Sequence, residues 1–451
     1  MIEISMNNTD RKIIDELENK ISENPEYLDF LGTNTKTLTH GYHTYPAMMI
    51  PQLAKGFIEL TQKYVSGINN IYDPFMGSGT TIVEGIVHGL DSYGIDINPL
   101  SLLMTKAKTT ALDPNLLLEN INKLKNNIQQ DYSNYMMRNL VIENIPDFDR
   151  IDFWFKPQVI EVLQLIKNNI LIFKESEKDS FFFFMAAFSE TVRYVSNTRN
   201  SEFKLYRMPK EKLEKWDPDV INIFYGYLER NFTGNVNLFE ELQSFDYQPE
   251  TVISRGSNSK LMFKDDSFDL LVTSPPYGDS KTTVAYGQFS RLSLQWLDLE
   301  IDSETKVNQL DNIMLGGKVN KKINIDNELD RLDSPTLVEV YKLIKEKDEK
   351  RALEVIQFYI DLDESIKQTS RVMKSRSYQY WVVANRTVKD INIPTDAIIS
   401  ELFEKYNVDH LHNFYRNIPN KRMPSKNSPT NKIGKKSVTM SAEIILMLKK
   451  R

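Results

Sequence analysis

The chain has no cysteine anywhere in its 451 residues. That absence removes disulfides, thiolate metal sites and thiol nucleophiles together. Histidine is scarce as well: His88, His410 and His412 are scattered, His40 and His43 stand near each other, and no spacing offers a metal site. No apolar run reaches the roughly 18 residues of a membrane span. The first residues, MIEISMNNTDRK, lack the basic-then-apolar order of a signal peptide. These absences predict a soluble cytoplasmic protein without metal.

An excess of positive charge is also missing. Lys and Arg number 56 against 62 Asp and Glu, a formal net charge of -6. Such a balance does not advertise a partner rich in phosphate, but a net figure averages over all faces. Locally, residues 416–451 hold ten Lys or Arg and one acid, Glu443, a stretch able to meet phosphates. The 41% apolar content supports a sizeable core, and the length predicts a large α/β domain with insertions, or two domains.

Residues 9–30 carry Ile13, Ile14, Leu17 and Ile21 on one helical face, with Thr9 as the expected cap. A strand at 68–72, a glycine-rich turn, a helix at 80–90 and a strand ending at Asp96 make a βαβ unit. Residues 112–250 read mainly as helices. An aromatic piece, FFFFMAAFSETVRYV (181–195), is followed there by a polar, basic one, SNTRNSEFKLYRMPKEK (196–212). Strands return at 252–254 and 268–273; the second, FDLLVT, is apolar on both faces, as a central strand of a parallel sheet must be. Residues 298–350 are charged and read as a mobile excursion with a short helix near 335–345. A helix at 351–373, a strand at 378–386, a helix at 394–406 and a strand at 443–448 complete the chain, which has no internal repeat.

The turn DPFMGSGTT (73–81) follows a strand and opens a helix, where glycines let the backbone approach a ligand and the helix start offers unpaired N–H groups. Asp96 follows Gly79 by 17 positions, near the roughly 20-residue spacing at which a carboxylate accepts ribose hydroxyls. Together they predict an adenosine-bearing cofactor. The third glycine of a dinucleotide fingerprint and the Gly-Lys-Ser/Thr of a phosphate loop are both lacking, which disfavours NAD and ATP. S-adenosylmethionine has no phosphates to cradle.

The buried strand ends in TSPPYGDS (273–280). Two prolines make a stiff turn without N–H donors at the carboxyl edge of the sheet, where open α/β folds bind ligands. The Ser274 hydroxyl and the Pro275 carbonyl are acceptors able to grip the two hydrogens of an exocyclic amine. Tyr277 offers an aromatic face to a base lifted out of a duplex.

DPFMGSGTT and TSPPY resemble the cofactor and catalytic motifs of the amino-methylating DNA methyltransferases, and TSPPY is closer to their cytosine-N4 branch than to the adenine-N6 branch. HGYHTYPAMMIP (40–51) is similar to the segment that covers the methionine end of the cofactor, and YGQFSRLSLQWL (286–297) to the helix after the catalytic loop. WVVANRTVKD, IPTDAIISELF and RNIPNKRMPSKNSP (416–429) resemble the C-terminal strands and a basic loop near the target base.

The resemblance implies a Rossmann-like methyltransferase fold, α/β with a mostly parallel central sheet, plus a largely helical insertion. Residues 1–111 would form the first half, 112–250 the insertion, 251–297 the catalytic strand and loop, 298–350 a variable excursion and 351–451 the C-terminal half. It implies methyl transfer from S-adenosylmethionine to N4 of cytosine in DNA, within a restriction–modification system that includes a cognate endonuclease. Asp73, Phe75, Gly77 and Gly79 would surround the methionine moiety, with Asp96 on the ribose. Tyr42, Tyr45 and Pro46 would close the pocket, and Ser274, Pro275, Pro276 and Tyr277 would meet the target. Lys421, Arg422 and Lys426 would contact phosphates. Where the family commonly has an acid for the adenine amine, RGSNSK (255–260) has Ser257, which leaves that role to Asn258 or backbone. Target recognition falls to part of 186–245 or to 298–350.

Cytosine C5 methylation needs a thiolate, which the chain lacks, so direct transfer is expected. The rivals are adenine-N6 methylation of DNA or RNA, and a non-catalytic nucleic-acid binder with the same fold. The second predicts degraded motifs, and here they are intact.

Overall fold

A computed structural model of the chain describes residues 6–200, 202–279, 283–297, 307–320, 322–418, 426–427, 437–438 and 442–451. Its centre is a seven-stranded sheet of β1 (Asn70–Asp73), β2 (Asp91–Asp96), β3 (Thr251–Arg255), β4 (Phe268–Thr273), β5 (Met373–Val383), β6 (Val408–Asn417) and β7 (Ala442–Lys450). The order is β3-β2-β1-β4-β5-β7-β6. The first five strands run parallel, while β7 is antiparallel to both β5 and β6. Strand order reverses beside β1, so the carboxyl ends of β1 and β4 flank the switch point where such sheets bind ligands. The expected α/β class with a mostly parallel sheet and a helical insertion is what the structure has.

Alternating side chains divide the interior into two layers. Ile444, Leu446 and Leu448 of β7 join one cluster with Leu271 and Trp381. On that face lie α12 (Glu349–Val372) and α13 (Thr395–Glu404). Ile445 and Met447 join the other cluster, under α1 (Asn8–Glu23) and α2 (Pro51–Tyr64). The insertion forms a third core, in which α5 (Pro114–Met136), α6 (Pro157–Leu171), α7 (Lys178–Val195) and α8 (Val220–Leu242) pack with α4 (Pro99–Thr109) and α9 (Tyr286–Trp296). Trp296 and Trp381 are both fully buried, as core residues.

Several boundaries differ from expectation for identifiable reasons. The first helix is capped by Asn7 rather than Thr9, because Asn7 and Asp10 each accept the other's backbone N–H at 2.9 Å. It ends at Glu23. Helix α3 (Thr80–Ile86) stops short of residue 90 because Gly89 turns left-handed, with φ 74. Within 298–350, α10 (Ile325–Leu332) and α11 (Pro335–Lys347) bury Leu332, Leu337 and Ile344 against the core of the sheet. The described part of that segment is packed rather than a mobile excursion. Strand β6 had no counterpart in the sequence reading. Among the described residues no helix is long and apolar enough to cross a membrane, and no group of acids and histidines is placed to hold a metal ion.

Helix α3 lies directly on the sheet through Gly85, where an added Cβ would strike the Ser92 hydroxyl and stand 2.6 Å from Ile71 Cγ2. Gly85→Ala therefore lowers unfolding stability by about 1–3 kcal/mol, the range for overpacking a tight core, measured by denaturant titration.

Candidate functional site

Strand β1 ends at Asp73, and the chain turns at once to enter α3. Gly77 and Gly79 make that turn with φ 48 and φ 80, values open to glycine at no steric cost. At Gly79 a Cβ would also meet Thr105 Oγ1 at 2.6 Å, so this glycine sets how closely α3 approaches α4. Asp73 holds the turn from within: its carboxylate accepts from Phe75 N–H at 3.0 Å and from the Thr273 hydroxyl of β4 at 2.6 Å. Asp96, ending β2, accepts from Gly77 N–H at 2.9 Å and from Asn98 N–H at 2.8 Å. From behind, buried Lys108 donates to the Ser78 carbonyl at 2.8 Å. Burial pushes its ammonium down to about 7.

Above the turn lies a cleft open to solvent. Asp73, Phe75, Gly77, Asp96, Tyr45 and Pro46 line it, and Ser274 and Pro276 stand in its wall. A second, smaller cavity adjoins it, walled by Ser274, Pro275, Tyr277 and Tyr286. Ser274, Tyr286 and Ala47 belong to both. The serine-proline corner is thus a partition with a cavity on either side.

Burial pushes the carboxyls of Asp73 and Asp96 up to about 6, while Asp96 keeps part of its surface open to the cleft. The polar set suits an adenosine group. Asp96 is an acceptor for paired hydroxyls, and Asn258, also in the cleft lining, has a buried side-chain oxygen without a partner among the described residues, an acceptor for an amine.

Over 447 residues, 98% of either chain, the sequence is 64% identical to the type II methyltransferase M.MvaI of Kocuria varians. The chain belongs to the type II methyltransferases. The type II methyltransferase M.MjaII of Methanocaldococcus jannaschii is 37% identical over 102 residues, 22% of this chain and 19% of its own. No protein-family model matches the sequence. Among solved structures, the rRNA methyltransferase aviRa of Streptomyces viridochromogenes covers 90% of this chain and 88% of its own at 10% identity and a TM-score of 0.32, a likeness too slight to bear on the site.

In this type II methyltransferase most of the residues singled out from sequence meet around the two cavities, with exceptions. Gly79 shapes the turn without lining the cleft. Tyr42 is a correction: it is 1% exposed, edge-on to Phe183 at 5.7 Å, and belongs to the core of the insertion. The short helix Leu38–Tyr42 ends there, so only Tyr45 reaches the cleft. The Tyr45 ring lies 5.6 Å from that of Tyr286, and its hydroxyl accepts from Asn98 Nδ2 at 3.0 Å and from Ser101 at 3.1 Å. Lys421 and Arg422 lie outside the described residues. Lys426 falls in a two-residue strand, Lys426–Asn427, paired antiparallel with Ser437–Val438.

The methyltransferase also has site residues that its motifs did not announce. Tyr277 donates its hydroxyl proton to Glu443 at 2.8 Å, and the other Glu443 oxygen accepts from buried Arg416 at 2.8 Å. Burial pushes the Tyr277 phenol well above its usual range, which keeps it a donor. A carboxylate only accepts, so the Tyr277 oxygen is left to accept from the Ser274 hydroxyl, 3.3 Å away. The lone pairs of Ser274 then remain free for a ligand's N–H. Arg416, part of the basic stretch expected at phosphates, is instead consumed by this chain of bonds.

Glu443→Gln, whose amide both donates and accepts, removes that orientation. Single-turnover methyl transfer falls by about 5- to 30-fold, the equivalent of about 1–2 kcal/mol, with cofactor affinity unchanged in calorimetry.

Proposed function

We propose that the protein is a site-specific DNA methyltransferase of a restriction–modification system, transferring a methyl group from S-adenosylmethionine to N4 of cytosine in the cytoplasm, alongside a cognate restriction endonuclease. The observation that carries this reading is the shared wall. Ser274 separates a cleft floored by Gly77 and Asp96 from a second cavity bounded by Tyr277. The two relatives named type II methyltransferases support DNA as substrate and the restriction–modification setting.

In this reading Asp96 accepts the ribose hydroxyls, Asn258 accepts the adenine amine, and Asp73, Phe75 and Gly77 shape the methionine end under Tyr45 and Pro46. When bound, S-adenosylmethionine supplies a methyl group activated on a sulfonium. The protein's task is to prepare the acceptor. An exocyclic amine is a poor nucleophile because its lone pair is delocalised into the ring. The Ser274 hydroxyl and the Pro275 carbonyl hold its two hydrogens and favour a pyramidal nitrogen, Pro276 stiffens the corner, and Tyr277 replaces part of the stacking lost when the base leaves the duplex. Orientation supplies most of the rate. With no thiolate in the chain, transfer proceeds without a covalent base–enzyme adduct. Lys421, Arg422 and Lys426 serve phosphates, which position the duplex without specifying sequence.

Tritium from labelled S-adenosylmethionine enters duplex DNA with the wild type, is lowered about 100-fold or more by Ser274→Ala, and is lost with Asp96→Ala through failed cofactor binding. Nucleoside mass spectrometry identifies the product as N4-methylcytosine; N6-methyladenine would move the assignment to the adenine branch, and equal label from all three proteins would overturn the site. Because the ribose hydroxyls need an ionised acceptor, affinity for S-adenosylmethionine falls as pH drops through about 6, where Asp96 gains its proton. Asp96→Asn binds weakly and loses most of that dependence.

A further inference from the structure

The described residues of the polar, basic piece of the insertion, 196–200 and 202–212, form a hairpin rather than a loose connection. Thr198 and Arg207 form an antiparallel bridge. Arg199 N–H donates to the Tyr206 carbonyl and Met208 N–H to the Asn197 carbonyl, each at 2.8 Å, and Asn197 N–H reaches the Trp154 carbonyl at 2.7 Å. The Asn200 amide donates to the Tyr194 carbonyl at 2.8 Å. A backbone so held presents its side chains in fixed directions.

Those side chains differ from the rest of the surface. Residues 199–215 carry six Lys or Arg and three acids in a chain of net charge -6. Arg199 is paired with Glu202 at 3.2 Å, whereas Lys204 has no carboxylate partner among the described residues. Arg150 and Arg207 lie over the same Phe153 ring, at 3.9 and 4.1 Å from its centroid, again without a carboxylate partner among the described residues. Two guanidiniums sharing one ring repel each other, and an approaching anion relieves that repulsion. Exposed aromatics concentrate here too: of the five exposed Tyr and Phe among the described residues, Tyr194, Phe203 and Tyr206 fall within this short stretch.

The hairpin also abuts the site. Leu205 N–H donates to Gln288 Oε1 at 3.4 Å, and the Phe203 ring lies 6.2 Å from that of Phe289. Arg193, at the root of the hairpin, lies 3.9 Å over Phe289 and donates to the Glu202 carbonyl at 2.7 Å. Gln288 and Phe289 belong to the first turn of α9, whose opening residue, Tyr286, lines both cavities. A nucleotide turned into the smaller cavity stays attached to its duplex, which must then pass beside that turn.

We propose that the hairpin 196–212 is the surface on which the duplex flanking the target nucleotide is held and read, with Lys204 on a phosphate and Tyr206 and Arg207 directed at the flanking nucleotides. This rests on the reading of the chain as a DNA methyltransferase. Cations without acid partners, aromatic faces and a stiff backbone beside the target cavity match what a polyanion with base edges requires.

The test compares wild type, Lys204→Ala and Lys204→Ala/Tyr206→Ala, all full-length. Binding and tritium labelling of plasmid DNA are measured across salt concentrations, and methylated positions are mapped by sequencing. The double variant should bind duplex DNA at least 10-fold more weakly or methylate additional sites. Lys204→Ala should flatten the dependence of log affinity on log salt by about 0.9, one phosphate contact. S-adenosylmethionine affinity and the unfolding midpoint should match wild type, which separates loss of DNA contact from misfolding. Duplex affinity within twofold of wild type, an unchanged salt slope and an unchanged site pattern would overturn the hairpin's role while leaving the methyltransferase reading intact. A wild type that labels RNA but no duplex DNA would overturn both.

Discussion

The site depends first on one carboxylate between two strands. Asp96 closes β2 by accepting from Gly77 and Asn98, so the glycine turn after β1 is tied to the neighbouring strand and cannot collapse into the space above it. Asp73 makes the matching bond to Thr273 of β4, which brings the serine-proline corner into the same frame. Two acids set at the ends of adjacent parallel strands thus align three segments far apart in sequence. Their raised carboxyl pKa values show what that placement costs, since neither charge is well solvated.

Around this frame the protein separates two tasks. The sheet and its covering helices fix the floor of the cleft and the corner, while α9, packed on the insertion, supplies a wall through Tyr286. Tyr45 joins α9 to the start of α4: its ring lies against Tyr286 and Phe289, and its hydroxyl bonds to Asn98 and Ser101. The cleft therefore keeps its width through packed aromatic rings, whose geometry is stiff.

Much of this was legible in the sequence, and the rest was not, for physical reasons. The β1–turn–β2 unit and the buried β4 carry local signals: glycines at positive φ, an acid at a strand end, and an unbroken apolar run. Strand β6 carries a misleading one. Val408, Leu411 and Phe414 are buried three positions apart, a helical spacing, although Val408 belongs to one face of the sheet and Leu411 and Phe414 to the other, where a bulge skips Leu411 opposite the step from Met447 to Leu448. Charge hid the packing of α10 and α11, whose few leucines suffice for one narrow stripe. Tyr42 matched a motif but turned the other way at the end of a short helix. The bond from Tyr277 to Glu443 spans 166 positions, and no local pattern encodes a partner that distant.

That span bears on when the protein acquires its chemistry during synthesis. Strand β7 threads between β5 and β6 although it follows both in the chain, so those two strands cannot be joined in one sheet until β7 has been translated. A chain translated only through β6 possesses the glycine turn and the serine-proline corner, yet Tyr277 lacks its acceptor and Arg416 its counter-charge. The order of the strands thereby makes the joining of β5 to β6, and the pairing of Tyr277 and Arg416 with Glu443, depend on one late-made strand.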